Sequence, residues 1–254
     1  MKKCIRIRNL SIGEGLSKII VPICAKTERE LLSQAASLLH MPVDAVEWRA
    51  DQFGAIFEER AVLHALQSLR EAAGDLPLLF TIRTKSEGGS FEGTKEAYFQ
   101  LNLASAESGL ADLVDVEFGE GSPSILAHIQ QLQARGVRVV VSSHDFYRTP
   151  SQAEMVLRLQ AMQRSGADIV KIAVMPNSAE DVLRLLCASE EFNRRYADRP
   201  MIAISMGGLG CVSRIAGAVS GSDMTFGAVD TVSAPGQLPA NTLDGILRAL
   251  NTSH

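Results

Sequence analysis

Short β-branched apolar runs alternate with longer amphipathic segments along the whole chain. Eight runs read as strands: KIIVPIC (18–24), AVEWRAD (45–51), PLLFTIR (77–83), LVDVEFG (113–119), RVVVSSHD (138–145), DIVKIAVM (168–175), MIAISMG (201–207) and MTFGAVD (224–230). Between them, segments such as 28–40, 95–109, 124–136 and 151–166 place apolar residues at helical spacing. Thr149-Pro150-Ser151 opens one helix, and Gly136 and Gly166 stand where left-handed residues close two others.

Successive strand starts lie 23 to 36 residues apart, room for one strand, one helix and two loops each time. Strands alternating with helices pair in parallel through right-handed crossovers. Eight such units predict an α/β fold, a (β/α)8 TIM barrel. A doubly wound open sheet would place a glycine-rich turn after an early strand, whereas the first strand here runs into Pro22-Ile23-Cys24-Ala25. Segment 4–16, with Ile5-Arg6-Ile7 and the Gly13-Glu14-Gly15 break, reads as a hairpin capping one barrel end. No Pro/Ser-rich linker divides the chain, so residues 1–254 are expected to form a single barrel domain.

Composition narrows the class. With 46% hydrophobic and 21% charged residues, the 254-residue chain is neither disordered nor collagen-like. The net charge of -4 and the scattered basic residues give no footprint for nucleic acid or an anionic membrane. Apolar runs are too short to span a bilayer, and MKKCIRIRNLSIGEG lacks the apolar core of a signal peptide, so a cytoplasmic protein is expected. Cys4, Cys24, Cys187 and Cys211 form no C-x-x-C pair and read as reduced, buried thiols. Their spacing shows neither a zinc ribbon nor a redox dithiol, and a small molecule is the expected partner.

Barrel strands are buried on both faces, so charge within them needs a reason. Period-2 alternation sets Glu47 and Arg49 opposite Val46, Trp48 and Ala50, and aims Thr81 and Arg83, Asp115 and Glu117, Ser142 and His144, and Lys171 inward. Most stand toward strand C-termini, where barrel enzymes build their sites. Arg49 or Asp115 alone could be a rim salt-bridge partner, and His144 a satisfied core histidine. Lys171, flanked by Val170 and Ile172, cannot sit on a solvated face. Burial and cationic neighbours lower an amine pKa and expose a nucleophile. A neutral lysine forms an imine with a ketone or aldehyde, a histidine can take a proton from the acidified neighbouring carbon, and arginines can hold a carboxylate. The combination points to a Schiff-base lyase, dehydratase or aldolase acting on a small acidic carbonyl compound.

EWRAD (47–51), FTIRTKSEGG (80–89), SSHDF (142–146), DIVKIAVMP (168–176), ISMGGLGCVSR (204–214), FGAV (226–229) and SAPGQ (233–237), in this order, resemble the type I 3-dehydroquinate dehydratase family of the shikimate pathway. The resemblance implies that Lys171 forms the imine, His144 is the general acid/base and Glu87 orients it. It implies that Glu47 and Arg83 hold ring hydroxyls and that Arg214, Ser233 and Gln237 grip the substrate carboxylate. Arg49 would support the charge network, and Met206 and Phe226 would pack on the ring. The implied reaction is syn elimination of water from 3-dehydroquinate, with no cofactor or metal, in a homodimer. Two positions depart from some relatives: GGLG (207–210) replaces a lysine-glutamate pair, and Ile204 a second methionine. The family's lid corresponds to Ser233 to Gln237. A class I aldolase and a non-catalytic metabolite-binding barrel are the alternatives.

Overall fold

The computed structural model describes residues 2–119, 123–228 and 236–251. The chain opens with an antiparallel hairpin, β1 (Ile5–Ile7) and β2 (Leu10–Ile12). The eight apolar runs then form β3 (Lys18–Ile23), β4 (Ala45–Arg49), β5 (Leu78–Thr81), β6 (Leu113–Glu117), β7 (Arg138–Asp145), β8 (Ile169–Val174), β9 (Met201–Ser205) and β10 (Met224–Ala228). β11 (Leu238–Pro239) extends the sheet beside β10. Every pairing in this nine-stranded sheet is parallel, in the order β11-β10-β3-β4-β5-β6-β7-β8-β9. The sheet curls until β10 meets β9, completing a (β/α)8 barrel.

The crossover helices are α1 (Glu28–Leu38), α2 (Glu59–Ala73), α3 (Lys95–Glu107), α4 (Pro123–Gln133), α5 (Gln152–Arg164) and α6 (Ala179–Arg195), followed by the short α7 (Gly217–Ser220) and α8 (Ala240–Asn251). Capping boxes start three of them: Thr27 with Glu30, Ser151 with Glu154 and Ser178 with Asp181. Gly136 and Gly166 take positive φ after α4 and α5, as expected of helix stops.

Alternation sorts the strand residues into two layers. Val46, Trp48 and Phe80 pack outward against α1 and α2, while Val114, Val139, Val141 and Val170 pack against α4 to α6. Inward, Ile20, Ala45, Leu79, Leu113, Val140, Ile169, Ile202 and Met224 fill the lower bore. The hairpin contributes Ile7 and Ile12 to that same cluster, which plugs the N-terminal end. With the bottom sealed by apolar side chains, the inward polar residues occupy the upper, C-terminal half.

Four aspartates pin the lower rim. Asp44, Asp112, Asp168 and Asp223 stand immediately before β4, β6, β8 and β10. Each donates its backbone N–H to a carbonyl at the start of the preceding strand, of Ile19, Leu78, Val139 and Met201, at 2.7–2.9 Å. Each carboxylate then accepts the N–H of that same residue, again at 2.7–2.9 Å. The clamp recurs at every second strand and so divides the barrel into four βαβα quarters. At the β9–β10 junction it is reinforced by Ser222, whose hydroxyl takes the Ala203 N–H and donates to the Met224 carbonyl. The cysteines correct one expectation: Cys4 and Cys187 are exposed and Cys24 and Cys211 half-buried, so none is a core thiol. Cys187 falls on the solvent face of α6.

Candidate active site

Strand register decides which polar groups meet. Lys171 pairs in register with Ser142 of β7 and Ile202 of β9. From β8 its side chain crosses the bore toward β4, four strands away. There Nζ lies 3.6 Å from Glu47 Oε1, 3.9 Å from Asp115 Oδ2 of β6, and 4.3 Å from the centre of the Phe226 ring of β10. It is 5% exposed. Burial lowers the amine pKa; Glu47 and Asp115 oppose that, and Arg83 and Arg49 reinforce it.

His144 is the penultimate residue of β7, where its main-chain N–H and its Nδ1 both meet Glu87 Oε2, at 3.0 and 2.9 Å. Glu87 is set by the loop after β5. Thr84 bonds to Glu117 through both its N–H and its hydroxyl, Glu87 N–H returns to the Thr84 carbonyl, and Phe91 N–H to that of Arg83. Burial pushes the Glu87 carboxyl up to about 8, with Arg83 opposing and Glu117 and Asp115 adding to the rise. Burial, with Arg83, Lys171 and Arg49 nearby, holds the His144 imidazole well below its usual range. The ring is therefore neutral when unliganded. When Nδ1 donates to the Glu87 carboxylate, Nε2 carries a lone pair.

Arg83 is 3% exposed and ringed by acids: Nη2 donates to Asp115, Nη1 to Glu117 and Ser142, and Glu87 lies 3.6 Å from Nη1. Those carboxylates outweigh desolvation and raise its pKa. Arg49 makes a two-pronged bond to Asp51. Arg214 lies at the end of the 209–214 turn, where Nε donates to the Gly236 carbonyl at 2.8 Å and Nη1 to that of Phe226 at 3.2 Å. Burial pulls its pKa down to about 10. An anionic group brought against it reverses that shift.

These side chains share one cavity of about 230 Å³, walled by Glu47, Arg49, Arg83, Glu87, His144, Lys171, Met206, Arg214, Phe226 and Gln237. Every site residue expected from the sequence therefore lines it except Ser233, which lies outside the described residues. Phe146, Gly88, Ala173 and Ile204 complete the wall. A family model, Type I 3-dehydroquinase, matches residues 19–254. The chain belongs to this family.

Relatives agree over the full length. The 3-dehydroquinate dehydratase of Klebsiella pneumoniae is 44% identical over 251 residues, 99% of this chain and 100% of the relative. That of Bacillus licheniformis is 43% identical over 99% of both. A crystal structure of the type I 3-dehydroquinate dehydratase from Clostridium difficile, carrying covalently modified comenic acid, superposes with a TM-score of 0.97 at 41% identity, covering 100% of both chains.

Within this type I 3-dehydroquinase, Asp115, which by sequence alone could be a rim salt-bridge partner, is wholly buried at the centre of the network. Phe146 was missed because its role is steric. A Cβ on Gly88, whose φ is +79°, would lie 2.3 Å from the Phe146 ring, so glycine and aromatic fit as a pair. Within GGLG, Gly210 serves packing, since a Cβ there would lie 2.3 Å from the Ser205 carbonyl oxygen, while Gly208 faces open space; Gly236, at φ +77°, lies so close that a Cβ would approach the Gly207 carbonyl oxygen to 2.0 Å.

Proposed function

We infer that this chain converts 3-dehydroquinate to 3-dehydroshikimate and water through an imine on Lys171. The observation that carries it is a buried lysine amine sharing one cavity with a neutral histidine that is bonded to Glu87. The neutral amine attacks the C3 ketone, whose oxygen leaves as water. The resulting iminium draws electrons from C2, and His144 Nε2 takes a C2 proton. The enamine pair returns to expel the C1 hydroxyl, which leaves as water with the proton His144 has just acquired. Hydrolysis of the product iminium frees Lys171.

Arg214, with Ser233 and Gln237, holds the carboxylate. Glu47 and Arg83 address the ring hydroxyls, Arg49 supports Glu47 electrostatically, and Met206 and Phe226 pack on the ring. Because Arg83 is bonded to Asp115 and Glu117 and ion-paired with Glu87, it offers a fixed donor array that need not reorganise as substrate enters. Incubation with 3-dehydroquinate tests the reaction: the ultraviolet absorbance of a conjugated enone should grow, with water as the only other product. Release of a carbonyl fragment would instead indicate an aldolase.

The family resemblance supports a homodimer of single-domain subunits working in the cytosol. Among the described residues no helix is long and apolar enough to cross a membrane. Leu183, Leu209, Val212 and Val219 are exposed on α6, α7 and the 209–214 turn, which pack against one another and supply apolar surface for a second copy. Sedimentation at micromolar concentration should give twice the 27.4 kDa chain mass.

A further inference from the structure

We propose that Asp115 is the fixed counter-charge of Lys171, a positioning residue that stabilises positive charge on the lysine nitrogen in both the ammonium and the iminium. The proposal deepens the imine chemistry above and rests on it.

Asp115 is 0% exposed, and its two oxygens have different surroundings. Oδ1 accepts from Arg83 Nη2 at 2.9 Å and from Ser142 Oγ at 2.7 Å, so the carboxylate is held on one side. Oδ2 is buried with no hydrogen-bond partner among the described residues, and Lys171 Nζ lies 3.9 Å from it. A buried carboxylate oxygen left bare is costly unless charge arrives beside it. Lys171 is the group on which charge arrives. Amine plus carbonyl plus one proton gives iminium plus water: one amine hydrogen and the added proton leave with the carbonyl oxygen, and the nitrogen keeps one hydrogen and a unit positive charge.

The other groups facing Lys171 do not serve as well. Glu47 of β4 is nearer to Nζ, at 3.6 Å, but that same oxygen already accepts from Thr81 at 3.0 Å, and in the proposed reaction the carboxylate addresses the ring hydroxyls. Arg49, Arg83 and His144 are cationic or neutral, β10 offers the Phe226 face, and β3 and β9 present Ile20, Ile202 and Ile204 inward. Glu87 is engaged with His144.

The test is Asp115→Asn, which keeps the shape and an acceptor for Arg83 and Ser142 but removes the charge. Competitive acetylation of Lys171 by acetic anhydride across pH, read by peptide mass mapping, reports the amine's titration. Its onset should move to lower pH by about one unit or more, the scale for losing an opposite charge at this distance. Borohydride-trapped adduct and kcat should both fall, kcat by roughly tenfold or more with KM little changed. Glu117→Gln also removes an acid from Arg83 but stands away from Lys171, and should leave the acetylation profile in place. An unmoved profile in Asp115→Asn, or an equal shift in Glu117→Gln, would overturn the proposal.

A second measurement covers an Asp115→Asn chain that fails to fold. Lys171→Met strands the carboxylate, so the double variant Lys171→Met/Asp115→Asn should melt higher than Lys171→Met; an equal or lower Tm contradicts the pairing. If wild-type protein yields no adduct on Lys171, the imine chemistry itself is wrong. If it traps normally while Asp115→Asn behaves identically, only the counter-charge assignment falls.

Discussion

At the Glu87–His144 pair, proton occupancy decides whether the imidazole can act as a base. With one proton between carboxylate and Nδ1, Nε2 is free; a second proton neutralises Glu87 or blocks Nε2. Burial raises the carboxyl to about 8, so the pair gains its base form as pH rises, and kcat/KM should climb on the alkaline side of neutrality. Glu87→Gln removes the carboxyl titration and a negative neighbour of His144. The acid limb of kcat/KM should then move to lower pH, and turnover should fall less than in His144→Ala, which loses ~10²-fold or more. A limb that stays in place would separate Glu87 from the base. Arg214→Ala should weaken substrate binding by roughly 2–4 kcal/mol, the scale for a desolvated charge-assisted contact, seen as a raised KM; Lys at this position is an incomplete substitute because it lacks the planar fork. Inward-facing charge made Lys171, His144, Glu47 and Arg83 legible in sequence through alternation alone, and Glu87 through the resemblance. Asp115 obeyed the same alternation, but its importance lies in two unlike oxygens, which spacing does not encode.

At the scale of elements, strand and helix positions were readable because apolar runs and caps repeat with the barrel's period. All eight strands appear within a few residues of the apolar runs, and Ser151 starts α5 as its Thr-Pro-Ser context suggests. The aspartate clamps are not legible in the sequence, since a lone Asp before an apolar run resembles any loop residue until its partner strand is known. Asp112 takes Arg8, Arg70 and the Leu78 N–H. Asp112→Ala should lower stability by about 1–3 kcal/mol in denaturant titration, the cost of stranding buried donors, with activity per folded molecule retained because the cavity opens at the other end. His128 on α4 is another hidden feature: it is 2% exposed, stacked on Phe99 at 4.1 Å, and neither ring nitrogen has a partner among the described residues. Burial lowers its pKa to about 4. The unfolded chain, titrating near 6.5, binds the proton first, so the folded state loses stability as pH falls from about 6.5 toward 4. His128→Leu should raise Tm more at pH 5 than at pH 7.5; equal gains would show that protonation plays no part.

Across the whole molecule, stability and chemistry occupy opposite ends of one barrel. The hairpin plug and the clamps hold the N-terminal rim, and the charged cavity opens at the C-terminal rim. If one core serves the chain as a single domain, far-ultraviolet circular dichroism and fluorescence of Trp48, the chain's one tryptophan, should report one coincident unfolding transition. Separated transitions would argue for two units. The central claim, that an imine on Lys171 carries the elimination, is tested most directly by borohydride reduction in the presence of 3-dehydroquinate, followed by intact mass and peptide mapping. Wild-type and His144→Ala chains should each gain one reduced adduct, mapped to Lys171, while Lys171→Ala gains none and is inactive. An adduct on any other lysine, or turnover that survives in Lys171→Ala, would contradict it.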